Sequence, residues 1–231
     1  MSESFADKLY LLNKKIVSCR RCPRLVEWCE KVAREKTARF LGEDYWGKPV
    51  PGFGDPRARV LIVGLAPAAH GANRTGRMFN GDRSGEWLYG TLHKFQFSSR
   101  PASLSADDDL KLNDCYITAA VRCAPPGNKP MKDEIESCQR YLLSELDIFA
   151  DLRVIVALGK IAFDWTIVSL ETLEIRKFDH RPKFAHGAKS QVNEKLTLIA
   201  SYHPSQQNTF TGRLTKPMFE SIFREVKRLI D

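Results

Sequence analysis

The sequence of 231 residues contains no run of 18 or more apolar residues, and this absence excludes a membrane-spanning helix. Its first residues have no basic stretch followed by an apolar one, so we expect no secretory signal. Without such a signal, the six cysteines are poor candidates for disulfides and better candidates for binding a metal or a cluster. We therefore expect a protein that works away from membranes with its thiols reduced.

Two glycine-rich signatures of nucleotide binding are also missing. The segment GLAPAAHG, residues 64–71, has neither the Gly-x4-Gly-Lys-Ser/Thr pattern nor the Gly-x-Gly-x-x-Gly pattern. Their absence excludes a phosphate loop and a dinucleotide-binding loop at this point of the chain. The segment is nevertheless built from small residues, which allow backbone amides to approach a ligand closely.

Short apolar runs alternate with amphipathic patterns along the chain. Helices are predicted at residues 4–18, 23–34, 84–97 and 131–150, after the third strand, and from about residue 216. Strands are predicted in RVLIVGLA, CYITAAVRCAPP, RVIVALG and QVNEKLTLIASYHPS. This alternation predicts one three-layer α/β domain over residues 1–231, in which helices flank a central four-stranded, mainly parallel sheet.

Ligands of such sheets bind outside the carboxyl ends of the strands. The loops after Val63, Val121 and Ala200 are expected to converge there. Phe79 lies in the polar segment RMFNGD, where a flat ligand could stack on it, although a phenylalanine is more commonly a core residue. His203 follows the last strand; a neutral imidazole at that position fits base chemistry, although an isolated histidine is more often structural.

Four of the six cysteines are candidates for one site. Cys19 and Cys22 form a C-x2-C pair at a helix break, Cys123 follows a strand, and Cys138 lies on the next helix. Four thiolates can hold zinc or a [4Fe–4S] cluster, and buried free thiols are the third possibility. The other two cysteines are predicted to pack in the core: Cys29 and Cys115.

The formal net charge of +8 fits a partner that is rich in phosphates. Four residues in or near the polar loops are candidates for contacting such a partner. They are Arg74, Ser205, Arg213 and Lys216.

Three segments and the four candidate cysteines together carry a resemblance to a known family. The segments are GLAPAAHGANRTGRMFNGDRSGEWL, YITAAVRCAPPGNKP and SYHPSQQNTFTGR. With the cysteines, they resemble the uracil-DNA glycosylase superfamily and its iron–sulfur family 5, also called type B. The resemblance spans nearly the whole chain from Cys19 to Arg213. It implies a monofunctional hydrolase of base excision repair, which flips uracil out of double- or single-stranded DNA and cleaves the N-glycosidic bond. It also implies a [4Fe–4S] cluster, and we expect a cytoplasmic, nucleoid-associated monomer.

The resemblance also implies residue roles. His203 is expected to stabilise the departing base, and Asp82 and Asn73 are the candidates for positioning the water. The base-binding residues are expected to be Gly64, Leu65, Ala66, His70, Phe79, Ala119 and Asn128. Ala66 and Ala119 stand where other branches carry polar side chains, so the pocket is expected to accept hypoxanthine and exocyclic-ring cytosine adducts as well as uracil.

Three alternatives remain open at this point. The chain could be a non-catalytic iron–sulfur DNA-binding module with a glycosylase-like fold, which Ala66 favours. It could instead be a zinc-bound nucleotide-processing hydrolase. Asp82, which precedes SGEWL, could be a turn or helix-capping residue rather than a catalytic one.

Overall fold

Buried apolar strands form the centre of the computed structural model, which describes residues 4–231 and so leaves out the first three residues of the predicted domain. The sheet contains β1 (Phe53–Gly54), β2 (Val60–Gly64), β3 (Cys115–Ala119), β4 (Val154–Leu158), β5 (Lys189–Gln191) and β6 (Thr197–Ser201). Their order across the sheet is β1-β3-β2-β4-β6-β5.

The four predicted strands are the inner ones, and they pair in parallel as β3-β2-β4-β6. All their residues are buried, as expected for strands covered on both faces. The prediction of four strands was wrong in number, because β1 and β5 add an antiparallel strand at each edge. These edge strands have two and three residues, and neither carries a continuous apolar run.

The helices predicted from the apolar periodicity are present. They are α1 (Phe5–Val17), α2 (Pro23–Glu35), α4 (Arg83–Lys94), α5 (Lys132–Ile148), α6 (Lys160–Thr172) and α8 (Lys216–Ile230). Two short helices lie in the loops after β2 and β6: α3 (Ala72–Thr75) and α7 (Gln206–Phe210). Local signals start the helices, because Ser4 and Asp7 form a capping box on α1 and Pro23 occupies the first turn of α2.

Alternate strand residues face opposite helical layers, as the two-residue period of a strand requires. Val60 and Ile62 pack in the apolar group formed with α4 and α8. Leu61 and Val63 pack in the group formed with α5 and α6. This arrangement confirms the predicted three-layer α/β architecture. Among residues 4–231 no helix is both long enough and apolar enough to cross a bilayer.

Candidate functional site

The carboxyl ends of the inner strands meet at one edge of the sheet, where the loops after β2, β3 and β6 begin. Gly64 and Ala119, the last residues of β2 and β3, pair directly with each other. The chain order reverses at β2, because β3 lies on one side of it and β4 on the other. Open α/β sheets bind ligands outside such a reversal, so this edge is the candidate active site.

Two aromatic rings from different loops meet at this edge. The ring of Phe79 stacks on the imidazole of His203 with 5.8 Å between centroids and an angle of 26° between the planes. The Asn208 side-chain amide donates a hydrogen bond of 2.9 Å to the His203 carbonyl, which fixes the backbone there. Burial lowers the pKa of His203 to about 4, so its imidazole is neutral at pH 7.

The Phe79 ring is held in place by close contacts with glycines. Phe79 has a φ of 57°, in the left-handed region that costs an ordinary residue about 1–2 kcal/mol. A Cβ on Gly64 would lie 3.0 Å from Phe79 Cζ, and a Cβ on Gly85 would lie 1.7 Å from the Phe79 carbonyl oxygen. Gly85 was not among the predicted site residues, although a glycine inside the helical pattern RSGEWL is a usable signal for such a close approach.

The two candidates for positioning water differ in exposure, because Asp82 is half-buried and Asn73 is fully buried. Asp82 is the N-cap of α4, where its Oδ1 accepts a 2.8 Å hydrogen bond from the Gly85 amide, and burial raises the pKa of its carboxyl group. Asn73 is fully buried, and its Nδ2 donates to the Cys29 carbonyl at 3.3 Å. Its Oδ1 has no hydrogen-bond partner among the described residues. The structure thus shows Asp82 in the helix-capping role that was the alternative to a catalytic one.

The remaining residues predicted to bind the base differ in their exposure. The Leu65 carbonyl accepts a 2.9 Å hydrogen bond from the Val121 amide, which joins the loops after β2 and β3. Ala66 packs against the apolar group around Val121. His70 Nδ1 lies 3.1 Å from the Tyr45 hydroxyl. In contrast, Asn128 is exposed in the short 3-10 turn Pro126–Asn128. Of the residues predicted to bind the base, it is the one that lies on the surface.

Arg74 was predicted to contact phosphate, but the structure gives it internal partners. Only 8% of its surface is exposed, and its guanidinium forms an ion pair with Glu43. Its Nε also donates to the His70 carbonyl at 3.0 Å, and its guanidinium carbon lies 4.1 Å from the centroid of the Phe40 ring. These contacts hold the loop after β2, and they favour a structural role for Arg74 over the predicted contact with DNA.

Two other predicted phosphate contacts remain on the surface. Arg213 is exposed and lies over the Tyr202 ring at 4.7 Å, and Lys216 is exposed and lies over the Trp87 ring at 5.4 Å. Ser205 caps α7, because its hydroxyl accepts a hydrogen bond of 3.3 Å from the Asn208 amide. The basic pair therefore flanks the edge of the sheet that holds His203.

The four candidate cysteines line one cavity between the α1–α2 connection, the loop after β3, and α5. They are Cys19, Cys22, Cys123 and Cys138. Burial raises the pKa of the Cys138 thiol to about 11 and also raises the pKa of Cys22. Within residues 4–231, no three His, Cys, Asp or Glu side chains converge as they would on a single metal ion. A cluster differs in this respect, because its cysteines bind different iron atoms.

A buried arginine lines the same cavity and tests whether the cavity suits a cluster. Arg122 is 1% exposed, and its Nε and Nη1 have no hydrogen-bond partner in the described part of the chain. Unpartnered buried donors of a cation suit an anionic occupant. Four thiols and a guanidinium therefore fit an iron–sulfur cluster.

The two cysteines predicted to pack in the core are both buried. Cys115 lies in β3, whereas Cys29 lies in α2 with its sulfur 3.6 Å from the Ala124 carbonyl oxygen. Cys29 and Cys123 belong to the same buried apolar group, a proximity that the sequence did not predict because the two residues are distant in the chain.

Comparisons with known proteins agree with this geometry. The uracil DNA glycosylase superfamily matches residues 51–227. The type-5 uracil-DNA glycosylase of Mycobacterium leprae is 50% identical over 220 residues, which cover 94% of each chain. That of Thermus thermophilus is 52% identical over 214 residues, or 93% of this chain and 94% of its own.

A type-4 relative is more distant. The type-4 uracil-DNA glycosylase of Archaeoglobus fulgidus is 31% identical over 193 residues, which cover 83% of this chain and 79% of its own. The match of the superfamily and the extent of these similarities lead to one conclusion: this chain belongs to the uracil DNA glycosylase superfamily.

Proposed function

We propose that this protein is a monofunctional uracil-DNA glycosylase that removes uracil from DNA in base excision repair. The observation that carries the proposal is the stacked pair of Phe79 and His203 at the carboxyl edge of the sheet. The relatives at about 50% identity are named uracil-DNA glycosylases, and this favours an enzyme over a non-catalytic binding module.

The target base leaves the DNA stack before it reacts, because its glycosidic bond is inaccessible inside a duplex. The Phe79 ring offers the flat apolar surface on which an extruded base stacks. Gly64 and Ala119 lie beside it and carry little or no side chain, so the base can approach the backbone closely. Exposed Arg213 and Lys216 contact the flanking phosphates and provide affinity that does not depend on sequence.

Bond cleavage places negative charge on the departing base and positive charge on the sugar. An imidazole N–H of His203 donates to the base oxygen on which the negative charge develops. The depressed pKa keeps this imidazole neutral, so one ring nitrogen carries the N–H that donates and the other nitrogen is an acceptor. One such donor lowers the barrier by about 3–4 kcal/mol.

Water that attacks the sugar is positioned by Asp82 or Asn73. Asp82 Oδ1 is engaged by the Gly85 amide, which leaves Oδ2 as the acceptor for water. Asn73 Oδ1 is the other acceptor, because it has no partner within residues 4–231. An Asp82→Ser variant separates capping from catalysis, since serine keeps the N-cap and removes the carboxylate. If Asp82 positions water, this variant loses cleavage while its melting temperature stays close to that of the parent.

We also propose that Cys19, Cys22, Cys123 and Cys138 bind a [4Fe–4S] cluster. When bound, the cluster supplies iron–thiolate links between three parts of the chain. Hydrolysis needs no electron transfer, so the cysteines serve to pin the α1–α2 connection to the loop after β3 and to α5. The lack of a convergent single-ion site in the described residues favours a cluster over zinc.

The pocket accepts more bases than uracil. A side-chain amide that reads the uracil edge would reject other bases, because its own polar atoms would be left unpaired. Ala119, beside Gly64 at the strand ends, carries no such amide. Hypoxanthine and ethenocytosine are therefore further substrates.

Single-turnover cleavage of matched duplexes that carry uracil, hypoxanthine, ethenocytosine or thymine tests both levels of the proposal. Cleavage of the first three with thymine at background is expected. Cleavage of uracil alone would overturn the permissive pocket and leave the glycosylase. A folded protein that cleaves none of them would favour the binding module. Ala119→Asn is expected to narrow the range toward uracil, and an unchanged range would place Ala119 outside the pocket.

A further inference from the structure

Arg122 lines the same cavity as the four cysteines, and a backbone hydrogen bond holds its main chain in place. Its carbonyl accepts a 2.7 Å hydrogen bond from the Val50 amide. The guanidinium is among the largest fully buried side chains of the protein. The direction of this side chain is therefore set by the fold.

The hydrogen bonds of the Arg122 guanidinium are incomplete. Nη2 donates to Glu145 Oε2 at 2.5 Å, and the same oxygen accepts a 2.6 Å hydrogen bond from the Thr118 hydroxyl. Nε and Nη1 have no partner in the described chain. An arginine carries five N–H donors, so three of them, one on Nε and two on Nη1, are buried and free.

The other polar side chains at the cavity carry at most one hydroxyl donor each, apart from Arg21. Ser137 and Tyr141 line the cavity beside the cysteines, and neither side chain is a cation. The remaining polar residue that lines the cavity besides Arg122 is Arg21. Arg122 is therefore the buried cation whose donors are available to an occupant of the cavity.

We propose that Arg122 is a positioning residue for the iron–sulfur cluster, to whose sulfurs its Nε–H and Nη1–H groups donate hydrogen bonds. The inference rests on the cluster assigned above. Glu145 pairs with the guanidinium through Nη2, and its own Oε1 has no hydrogen-bond partner within residues 4–231. The donors on Nε and Nη1 then hydrogen-bond to the anionic cluster, so their loss weakens the retention of iron.

Two measurable properties follow. Removal of an outer contact of a metal site commonly costs 10–100-fold in metal affinity. Hydrogen bonds to sulfur and a nearby positive charge also stabilise the more electron-rich state of a cluster, so they raise its reduction potential. Loss of packing alone would instead expose the cluster to water, which shifts the potential in the opposite direction from the loss of a positive charge.

The experiment compares the parent with Arg122→Lys, which keeps the charge, and Arg122→Gln, which keeps an N–H donor without the charge. The control is Arg77→Gln, because Arg77 is a buried arginine paired with Asp108 that does not line the cysteine cavity. The proteins are purified without oxygen, and their iron content and absorbance near 400 nm are measured. The rate at which a chelator bleaches this absorbance and the one-electron reduction potential at an electrode are then compared.

Arg122→Gln is expected to bleach at least tenfold faster than the parent and to have a more negative potential. Arg122→Lys is expected to lie between them, and Arg77→Gln is expected to match the parent well below its melting temperature. Bleaching and potential that equal the parent's in a folded Arg122→Gln protein would overturn the inference. If Arg122→Gln does not fold, Arg122→Lys decides in the same way.

The parent protein separates the two levels of the proposal. A parent without iron or colour overturns the cluster and this inference together. A coloured parent whose Arg122 variants behave alike overturns only the role of Arg122.

Discussion

The base pocket and the cysteine cavity lie in the same α/β domain, but they differ in how far their polar and aromatic groups have partners within the chain. In the pocket, the Phe79 ring is fixed by Gly64, by the helix start at Gly85 and by the His203 imidazole. In the cavity, four cysteines line the wall, and Nε and Nη1 of Arg122 have no hydrogen-bond partner among residues 4–231. The pocket is preorganised by the chain alone, whereas the cavity has the polar groups of a site that needs an occupant.

This difference separates the effects of substitutions at the two regions. Damage to the cysteine cavity should lower fold stability first and activity as a consequence. Damage to the pocket should lower the rate of cleavage while the fold and the cluster persist.

The largest effect is expected for Cys19→Ala. This variant should lose absorbance near 400 nm completely and should unfold at a lower temperature, because the binding energy of a structural metal group is also folding energy. Iron analysis and thermal melting measure both losses. Cys115→Ala and Cys29→Ala are the controls, and both should keep the colour. A colourless Cys19→Ala protein with the stability and DNA binding of the parent would contradict the structural role of the cluster.

His203→Ala should lower the single-turnover rate of uracil release by about 10²–10³-fold, as expected when one transition-state donor is lost. Affinity for uracil-containing duplexes should change much less, and the colour should remain. His180→Ala, at an exposed position, is a matched control that should cleave like the parent. If His203→Ala also cleaves at the rate of the parent, the imidazole does not stabilise the leaving base.

Gly64→Ala should lower the cleavage rate by about tenfold, since small displacements of a positioned group have large effects on rate. The added Cβ would lie 3.0 Å from Phe79 Cζ and push the ring away from the end of β2. Single-turnover kinetics measure the rate, and a thermal melt close to that of the parent shows that the fold is retained. Gly187→Ala is a control in open space, although its φ of 79° adds local strain. An unchanged rate for Gly64→Ala would mean that the ring position does not matter for cleavage.

Arg213→Ala should weaken DNA binding a few-fold and reduce the salt dependence of log K by about one unit, because one phosphate contact is removed. Binding titrations at several salt concentrations measure the slope. Arg228→Ala is the control, because Arg228 lies near the end of α8 in an ion pair with Glu225. Equal slopes for the parent and Arg213→Ala would remove Arg213 from the DNA surface.

The smallest effect is expected for pH. The active imidazole is the neutral form, and the pKa of His203 is lowered to about 4 by burial. The neutral fraction is therefore nearly complete from pH 8 down to about pH 5, and it falls only as the pH approaches 4. The single-turnover rate should stay level over the upper range. A tenfold loss between pH 7.5 and 5.5 would indicate either a donor with an ordinary histidine pKa or protonation of the Asp82 carboxyl group, whose pKa is raised by burial.

The sequence predicted the parallel centre of the sheet because each inner strand is a short, continuous apolar run. Edge strands β1 and β5 escaped prediction, since they have only two and three residues and form through pairing with β3 and β6. The site residues also divide into those predicted from local patterns and those that depend on tertiary contacts. His203 and Phe79 were predicted from their loops, whereas the internal ion pair of Arg74 with Glu43 depends on a contact between distant segments.

By itself, the sequence determined the order of the four inner strands and the six longer helices, the four cysteines and the three motifs of the superfamily, because these are patterns of neighbouring residues. Tertiary structure decided how distant residues meet. It stacks Phe79 on His203, brings Glu145 of α5 to Arg122 and leaves three donors of Arg122 without a partner in the described part of the chain. These outcomes depend on which buried charges and donors have partners after the helices pack on the sheet. A polar group without a partner costs free energy only when it is removed from water, and the sequence alone does not show which groups are removed.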